Sequence, residues 1–512
     1  MSDLTRVPYR GLITASAMLA MFMQTLDSTI ANVALPYMQG SMSASAEEIT
    51  WVLTSYVIAA AIFTAPVGWM AVRFGRKQLF IICIAGFTVA SMMCGAAQSL
   101  EQLVAFRLLQ GVFGAALAPL SQATMLDIYP FSRRAQAMAI FSMGVTMGPM
   151  VGPTLGGYLT DLYSWRWVFY VNLPFGILSA IGLALFMPAA PARPHLKFSW
   201  YGFAMLSLGC GALQMMLDRG QTLDWFSSPE ILAEAVFAGL GFYLFIVHMM
   251  TADKPFLSPG LFKDRNFSAG MAMVFCVSSV MLATSALLAP YLQNLAGYPV
   301  YTAGWALAPR SIGTIAAMYL AARMGMAVDQ RKIMAVGLVM LGWALWVMST
   351  WTPDVTEHEL WFAMIVQGFS VGLVFNPMTV MAYTTLSPQL RGEGTAMQSL
   401  ARNIGSAIGI SVTSFTLSRQ EQVNHADIAS VITPFDRVLQ AGNALSHMLD
   451  PATRHGAALL NRIVDQQAAI IAYNNDFRLM MVTIVPPMLL LLLMRRHARP
   501  NSAAAAAAAA GD

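Results

Sequence analysis

Charge is scarce in this sequence. Only 11% of its 512 residues are aspartate, glutamate, lysine or arginine, whereas 57% are apolar, and the mean hydropathy is +0.60. So few charges beside so many apolar residues exclude an ordinary soluble domain. The net charge is only +4, and nothing in the sequence indicates a nucleic-acid partner. We therefore expect a protein whose surroundings are mainly a lipid bilayer.

Cysteine is scarce as well. The four cysteines, Cys83, Cys94, Cys210 and Cys276, all lie in apolar segments, so neither a metal-ligand spacing nor a disulfide framework follows. The catalytic patterns HExxH and, in a usable context, GxSxG are missing too. We expect no metal and no organic cofactor. A membrane-embedded enzyme or sensor remains an alternative to a transporter, but no residue pattern supports it.

Long uncharged segments are abundant. Segments such as 78–100 exceed the roughly 20 residues that a helix needs to cross a bilayer. The first apolar segment is longer than the core of a signal peptide and has no plain cleavage site, so we expect it to be retained. The predicted spans, fourteen in all, are 11–38, 49–72, 78–100, 102–126, 135–160, 167–188, 198–217, 230–250, 267–293, 302–324, 333–350, 360–386, 394–418 and 477–494.

Lysine and arginine are unevenly distributed between the loops. If the N-terminus is cytoplasmic, the short loops on the outer side contain only Arg166 and Arg219, whereas the inner segments contain nineteen lysines and arginines. This distribution follows the positive-inside rule. It predicts an even number of spans with both termini in the cytoplasm.

Two proline-containing links, at 188–194 and 252–259, divide the spans into groups of six, two and six. We predict an all-α membrane protein with an N-terminal six-helix bundle, two linking transmembrane helices and a C-terminal six-helix bundle. A faint similarity between 68–77 and 325–332 agrees with two related bundles that rock about a central site. The domain boundaries that we predict are 1–190, 191–258 and 259–497.

An outer loop is predicted at 419–476, between the last two spans. Apolar residues recur with helical spacing at 438–448 and 457–471, so we expect two amphipathic helices there that cover the outer opening or bind a partner. The alanine-rich tail, 498–512, is of low complexity and is expected to be disordered or frayed.

Glycines recur every fourth residue in the fifth predicted span. Gly144, Gly148, Gly152 and Gly156 form one bare stripe on a helix, which lets another helix backbone approach closely. Pro149 and Pro153 each remove a backbone donor and bend the helix. The stripe therefore favours either a surface that slides during transport or a tight packing contact without a further role.

Two charges lie deep within predicted spans. Asp27 is in the first span and Arg107 in the fourth, and charged residues in the hydrocarbon region are functional candidates by default. The long arginine side chain can close the difference in depth between them. We expect relative movement of the two helices to switch proton binding at Asp27, the alternative being a static structural pair.

Four segments together resemble the motifs of drug:proton antiporters in the fourteen-helix branch of the major facilitator superfamily. They are LDSTIANVALP (26–36), GWMAVRFGRK (68–77), RLLQGVFGA (107–115) and GVTMGPMVGPTLGG (144–157). The resemblance implies a major facilitator fold in which Asp27 and Arg107 couple proton flow to transport. It implies an antiporter motif at Gly144, Gly148, Pro149, Gly152, Pro153, Gly156 and Gly157. It also implies a gating loop at Gly68, Arg73, Gly75, Arg76 and Lys77.

The gating loop departs from the superfamily pattern at Val72, where an aspartate is usual. This departure puts the usual ion pair of the gate in doubt. Asp127, at the inner end of the fourth span, is a candidate partner for Arg73 or Arg76, the alternative being an ordinary interfacial acid.

Segments 165–174, 217–230 and 261–267 resemble the EmrB-type pumps within this branch. The resemblance implies a multi-pass protein of the bacterial inner membrane. It also implies a tripartite pump, with an EmrA-like membrane-fusion protein in the periplasm and a TolC-like channel in the outer membrane. A single-component drug:proton antiporter is the alternative.

Six polar residues within the spans are candidates for the substrate cavity: Gln24, Asn32, Gln110, Arg310, Asn376 and Arg402. For Arg310 and Arg402 we favour snorkelling to water over lining the cavity. No acid lies deep in the second bundle's predicted spans, and a dication would need such a countercharge. We therefore predict export of small, hydrophobic, neutral or weakly acidic drugs by alternating access, driven by the proton gradient.

Overall fold

The computed structural model describes residues 8–130, 133–189, 198–253, 255–324, 328–433, 448–449 and 453–494. Over these ranges the chain is helical and contains no β-strand, so the all-α prediction is confirmed. The helices are α1 (Arg10–Met42), α2 (Ala46–Thr64), α3 (Val67–Phe74), α4 (Arg76–Ala96), α5 (Leu100–Gly114), α6 (Leu117–Ile128), α7 (Arg134–Leu162), α8 (Trp167–Tyr170), α9 (Asn172–Phe186), α10 (Trp200–Arg219), α11 (Pro229–Thr251), α12 (Gly260–Lys263), α13 (Arg265–Pro290), α14 (Val300–Leu307), α15 (Pro309–Met324), α16 (Gln330–Met348), α17 (Glu357–Thr384), α18 (Arg391–Val431), α19 (Arg454–Val482) and α20 (Val485–Leu493).

A helix, or a pair of helices with a short break, lies at the position of every predicted span. Within the described residues, ten helical segments are long and apolar enough to cross a membrane, where α5–α6, α8–α9 and α19–α20 each count as one segment. The number is eleven if the bent pair α2–α3 forms one span. The three positions that fall short are those of α1, α14–α15 and α18. The count of fourteen crossings and the cytoplasmic position of the termini therefore stay predictions.

Local sequence explains several helix ends and breaks. Ser45 and Glu48 form a capping box at the start of α2, and Thr356 and Glu359 form another at the start of α17. The break between α2 and α3 falls at Pro66, and the two segments differ in direction by 58°. Pro309 marks a similar break: α14 ends at Leu307, and α15 begins at Pro309.

The helices pack into two groups. In the first, α1 packs against α7 and α9, and α5 packs against α2 and α4. In the second, α17 packs against α13, α15 and α16, while α18 packs against α13 and α19. The linking helices α10 and α11 pack on each other, and α10 contacts both α2 and α18. The division into groups of six, two and six transmembrane helices stays a prediction.

The structure at 419–476 differs from the predicted outer loop. Helix α18 continues to Val431, beyond the predicted span end at 418, and α19 begins at Arg454 and runs without a break through the predicted amphipathic helix at 457–471. Residues that were predicted to lie in the outer loop thus belong to extensions of α18 and α19. The predicted helix at 438–448 lies outside the described residues except for its last residue, and the tail 498–512 lies outside them entirely.

Candidate functional site

A buried ion pair lies inside the first group of helices. The Nη1 atom of Arg107, on α5, donates to Oδ2 of Asp27, on α1, at 2.7 Å. Asp27 is 0% exposed and Arg107 is 1% exposed. The structure therefore brings together the two charges that the sequence analysis placed deep in separate spans. Because water cannot reach them, the pair depends on protein groups for its remaining hydrogen bonds.

Two amides complete the surroundings of the Asp27 carboxylate. Gln110 donates to Oδ1 of Asp27 at 2.8 Å, and Asn172, the first residue of α9, donates to the same oxygen at 2.9 Å. Asn172 also donates to Ser91 of α4 at 2.9 Å. Helices α5 and α9 thus bond the carboxylate on α1 directly, and α4 holds Asn172 from behind. The sequence analysis missed Asn172 and Ser91, although a single asparagine within an apolar segment is a detectable signal.

The guanidinium of Arg107 is held from several sides. Its Nε donates to the backbone carbonyl of Val52 at 3.0 Å, and Nη1 also donates to Gln110 at 2.7 Å. The Tyr56 ring lies beneath the guanidinium carbon at 4.3 Å, a distance that permits a cation–π interaction. This set of contacts fixes the orientation of Arg107 and satisfies most of its donors. The geometry is compatible both with a proton switch and with a static structural pair.

The glycine stripe of α7 lies against α1, the helix that carries Asp27. A Cβ added at Gly148 would lie 2.5 Å from the backbone carbonyl carbon of Thr25, and one added at Gly156 would lie 2.8 Å from the Ile30 side chain. The hydroxyl of Thr29 donates to the Gly148 carbonyl at 3.4 Å. Close backbone approach explains why glycine occupies these positions.

Other residues of the antiporter motif differ in their surroundings. Gly152 faces Thr29, and Gly144 faces Met18 and Met21. Gly157 lies off the stripe and faces open space, while Pro149 is exposed. Pro153 lies within α7. The contact with α1 is therefore made by the glycines spaced four residues apart.

The predicted gating loop meets the start of α18 from the second group. Arg76 forms an ion pair with Asp127, and Arg391 lies 3.7 Å from the other oxygen of the same carboxylate. Asp127 thus connects the two groups of helices at their predicted cytoplasmic end. A Cβ at Gly68 would lie 2.8 Å from Cα of Glu393, so the loop and α18 are in backbone contact there.

The remaining gating-loop residues play lesser parts in this contact. Gly75 has φ 87°, which favours glycine at the break between α3 and α4. Arg73 and Lys77 are half-buried, and neither forms an ion pair within the described ranges. Burial and the neighbouring cation of Arg391 lower the pKa of Arg134 to about 10, which still leaves this guanidinium charged near neutral pH. Asp127 is therefore surrounded by basic residues.

The six candidates for the substrate cavity lie in different surroundings. Gln110 belongs to the Asp27 cluster, Asn32 is exposed, and Asn376 is buried with an Oδ1 that has no partner among the described residues. Gln24 is half-buried, and its Oε1 also has no described partner.

The two arginines of this set are half-buried on helix faces that are otherwise buried. Arg310 donates to Ser285 at 2.5 Å and to the Met281 carbonyl at 3.3 Å, both on α13. Arg402 donates to Ser399 at 3.1 Å. These contacts lie inside the protein, so the geometry favours lining of an interior space over snorkelling to water.

A buried acid in the second group was not predicted. Asp476 of α19 is 0% exposed, and Thr416 of α18 donates to its Oδ1 at 2.6 Å. Its Oδ2 has no partner among the described residues. The sequence analysis placed Asp476 as the last residue of the outer loop, next to a span boundary at 477, and so overlooked it. Asp476 is therefore a buried acid of the second bundle beside the predicted span at 477–494, and the expectation that the spans themselves hold no deep acid stays a prediction.

Comparison with known proteins gives consistent results. A family profile described as "Major Facilitator Superfamily" matches residues 17–410. Multidrug export protein EmrB of Escherichia coli K12 is 33% identical over 468 residues, which cover 91% of each protein. Fatty acid resistance protein FarB of Neisseria gonorrhoeae is 35% identical over 471 residues, 91% of this chain and 92% of that one. The crystal structure of the human organic anion transporter MFSD10 has a TM-score of 0.60 at 14% identity and covers 93% of this chain and all of that one; at this identity the likeness shows the fold alone.

Proposed function

Because the chain belongs to the major facilitator superfamily, as a multi-pass membrane transporter of the EmrB type, we propose that it is a proton-driven multidrug exporter. The observation that carries this proposal is the buried cluster around Asp27. A carboxylate that is inaccessible to water and held by groups from two other helices changes its surroundings whenever those helices move. Such a group is suited to bind a proton in one conformation and release it in another.

Proton uptake requires the Asp27 carboxylate to separate from Arg107. In the present arrangement the carboxylate accepts bonds from Arg107, Gln110 and Asn172. Movement of α1 relative to α5 would lengthen the bond to Arg107 and expose an oxygen for protonation. Because α7 lies in backbone contact with α1 around Gly148, the antiporter motif would transmit this movement. The Asp127 ion pairs would open and close the predicted cytoplasmic end as the two bundles rock.

We propose hydrophobic and weakly acidic amphipathic compounds as substrates, in preference to dications. Arg107 is neutralised by Asp27, whereas neither Arg310 nor Arg402 forms an ion pair among the described residues. The polar interior thus has an excess of positive charge. The printed names of two relatives, a multidrug export protein and a fatty acid resistance protein, agree with this class of substrate.

We also propose that the protein is the inner-membrane component of a tripartite pump. The extensions of α18 and α19 beyond their predicted spans offer a surface to an EmrA-like fusion protein, which would connect to a TolC-like outer-membrane channel. The alternative is a single-component antiporter. A pump-deficient Gram-negative host that expresses this chain with and without the partner genes distinguishes them, because the tripartite pump confers resistance to uncouplers only with the partners.

The test of proton coupling is uphill efflux from energised proteoliposomes. We expect Asp27→Asn to abolish substrate accumulation against a gradient while the variant remains folded and inserted, since asparagine keeps the shape but cannot carry the proton. The matched control is Asp224→Asn, at an exposed residue with φ 54°, a conformation that asparagine accepts. Normal uphill efflux by Asp27→Asn would refute the proposal.

A further inference from the structure

A polar cluster connects the two helix bundles away from the Asp27 site. Gln122 of α6 donates to Oε1 of Gln398 of α18 at 2.8 Å, and the hydroxyl of Tyr383 of α17 donates to the same oxygen at 2.7 Å. All three side chains are buried. The Nε2 group of Gln398 is buried as well and has no partner among the described residues. The cluster therefore has an unused hydrogen-bond donor at the junction of the bundles.

Arg402 lies one helical turn after Gln398. The two residues share a face of α18 with Ser399, Ser406 and Gly409, all of them buried, so this face is directed into the protein. The position is eight residues from the predicted inner end of its span at 394, or about 12 Å along the helix. It is thus near the middle of a bilayer core of about 30 Å. Substrate sites of transporters built from two bundles are found at this depth, between the bundles.

The hydrogen-bond capacity of Arg402 is largely unused. It donates one bond, to Ser399 at 3.1 Å, out of the five N–H groups of a guanidinium. No acid forms an ion pair with it in the described part of the chain. Arg402 is half-buried although its neighbours on the same face are buried. Its side chain is thus not fully covered by its neighbours, and no acid among the described residues compensates its charge.

The other two interior arginines differ from Arg402. Arg107 donates to Asp27, Gln110 and the Val52 carbonyl. Arg310 donates to two groups of α13, and its backbone is in direct contact with Gly368 of α17. Arg402 is thus the interior arginine with the most donors free for a ligand. An uncompensated guanidinium in a low-dielectric interior favours an anion, and its planar fork matches a carboxylate.

From this geometry we infer that Arg402 holds the anionic group of a weakly acidic amphipathic substrate, with the Nε2 group of Gln398 as a second donor, in a site between the bundles. The inference rests on the proposed function for the class of compound. Beyond that function, the inference names Arg402 as the residue that recognises the acidic group of the substrate. Because Gln398 also accepts the bond from Gln122, the anion would be held beside the contact that joins the two bundles.

The test is equilibrium binding of radiolabelled decanoate and decan-1-ol to the protein in nanodiscs, at neutral pH and without a proton gradient. The two probes share a chain length and differ in charge. We expect Arg402→Gln to weaken decanoate binding by about ten- to hundredfold, the loss of a hydrogen bond to a charged group, and to leave decan-1-ol binding unchanged. Arg402→Lys should retain part of the affinity, because it keeps the charge but not the fork. Arg323→Gln, at an exposed arginine of α15, is the matched control.

Three results would overturn the inference: unchanged decanoate binding in Arg402→Gln, an equal loss for both probes, or a charge-selective loss in Arg310→Gln instead. A variant that does not fold would lose both probes and is recognised by its melting curve, in which case Arg402→Lys supplies the comparison. Proton-driven export is measured separately in proteoliposomes. Wild-type protein that binds decanoate through Arg402 but does not export it would refute the proposed function and leave the anion site standing.

Discussion

Replacement of Gly148 should separate the antiporter helix from the helix that carries Asp27. A Cβ at this position would lie 2.5 Å from both the carbonyl carbon and Cβ of Thr25, whereas ordinary contacts begin at 3.4 Å. Helices α7 and α1 would therefore have to move apart by about 1 Å for alanine and by more for leucine. Forced overpacking of this kind costs about 1–3 kcal/mol, so Gly148→Ala should lower stability by this amount and Gly148→Leu by more.

The displacement also reaches the proton site. Asp27 lies two residues after Thr25 on α1, and its bond to Arg107 is 2.7 Å. Residues two apart lie on roughly opposite faces of a helix, so a push on α1 at Thr25 drives the Asp27 face against its partners. A shift of about 1 Å would distort the geometry of that charge-assisted hydrogen bond. We therefore expect Gly148→Leu to lose uphill transport even where the variant inserts normally. The assays are thermal unfolding in detergent and substrate efflux from energised proteoliposomes.

Two further glycines make the result specific. Gly239 of α11 has open space within 4 Å of its added Cβ, so Gly239→Leu is the control and should be tolerated. Gly157 belongs to the antiporter motif but also faces open space. If the motif acts through contact, Gly157→Leu should be far milder than Gly148→Leu. Wild-type transport rates in Gly148→Leu would show that the two helices are not in close contact there and refute the reasoning.

Two other predictions concern acids away from Asp27. Asp127→Asn removes the ion pairs with Arg76 and Arg391, of which only the pair with Arg391 joins the two groups of helices. That pair is worth about 0.2–1 kcal/mol at a partly exposed site, so we expect opening of the predicted cytoplasmic end to become up to about fivefold more populated. Spin-label distances between α6 and the start of α18 measure this shift, with Asp161→Asn as the control, and an unchanged distance distribution would count against a gate at Asp127. Asp476→Asn keeps the acceptor for Thr416 and removes an unpaired buried acid, so we expect thermal stability to rise by about 1–3 kcal/mol with uphill transport retained. Loss of transport in a folded Asp476→Asn variant would instead place Asp476 on a proton path and contradict the assignment of coupling to Asp27 alone.

The pairs that sequence reasoning anticipated share a physical origin. Asp27 and Arg107 are opposite charges at similar depths in spans, and such charges must be compensated inside the protein. The glycine stripe required a close backbone partner, and the structure places α1 there. Asp127 was a candidate partner for Arg73 or Arg76, and the structure pairs it with Arg76. In each case the residue type determines the kind of partner, an opposite charge or a close helix backbone.

The features that sequence reasoning missed depend on tertiary packing. Asn172 stands out as a single asparagine in an apolar segment, but no sequence pattern indicates that it and Ser91 lie beside Asp27. Arg391 reaches Asp127 only because the start of α18 lies against the gating loop. The extension of α18 to Val431 was hidden for another reason: hydropathy reports where a helix leaves the membrane, not where it ends. Residues such as glutamine, glutamate and alanine continue a helix well in water.

Polar residues within the spans lower the hydropathy of some helices, and the same residues are candidates for the transport site. Helices at the three span positions that fall short in length or hydropathy are α1, α14–α15 and α18, and these contain Asp27, Arg310 and Arg402. A helix surrounded by lipid must be apolar on all sides, whereas one that borders an interior site can carry charge on its inner face. Low hydropathy at these positions therefore does not argue against membrane spans when the polar face is buried against other helices, as it is around Asp27. We expect these helices to line the proposed route for protons and substrate.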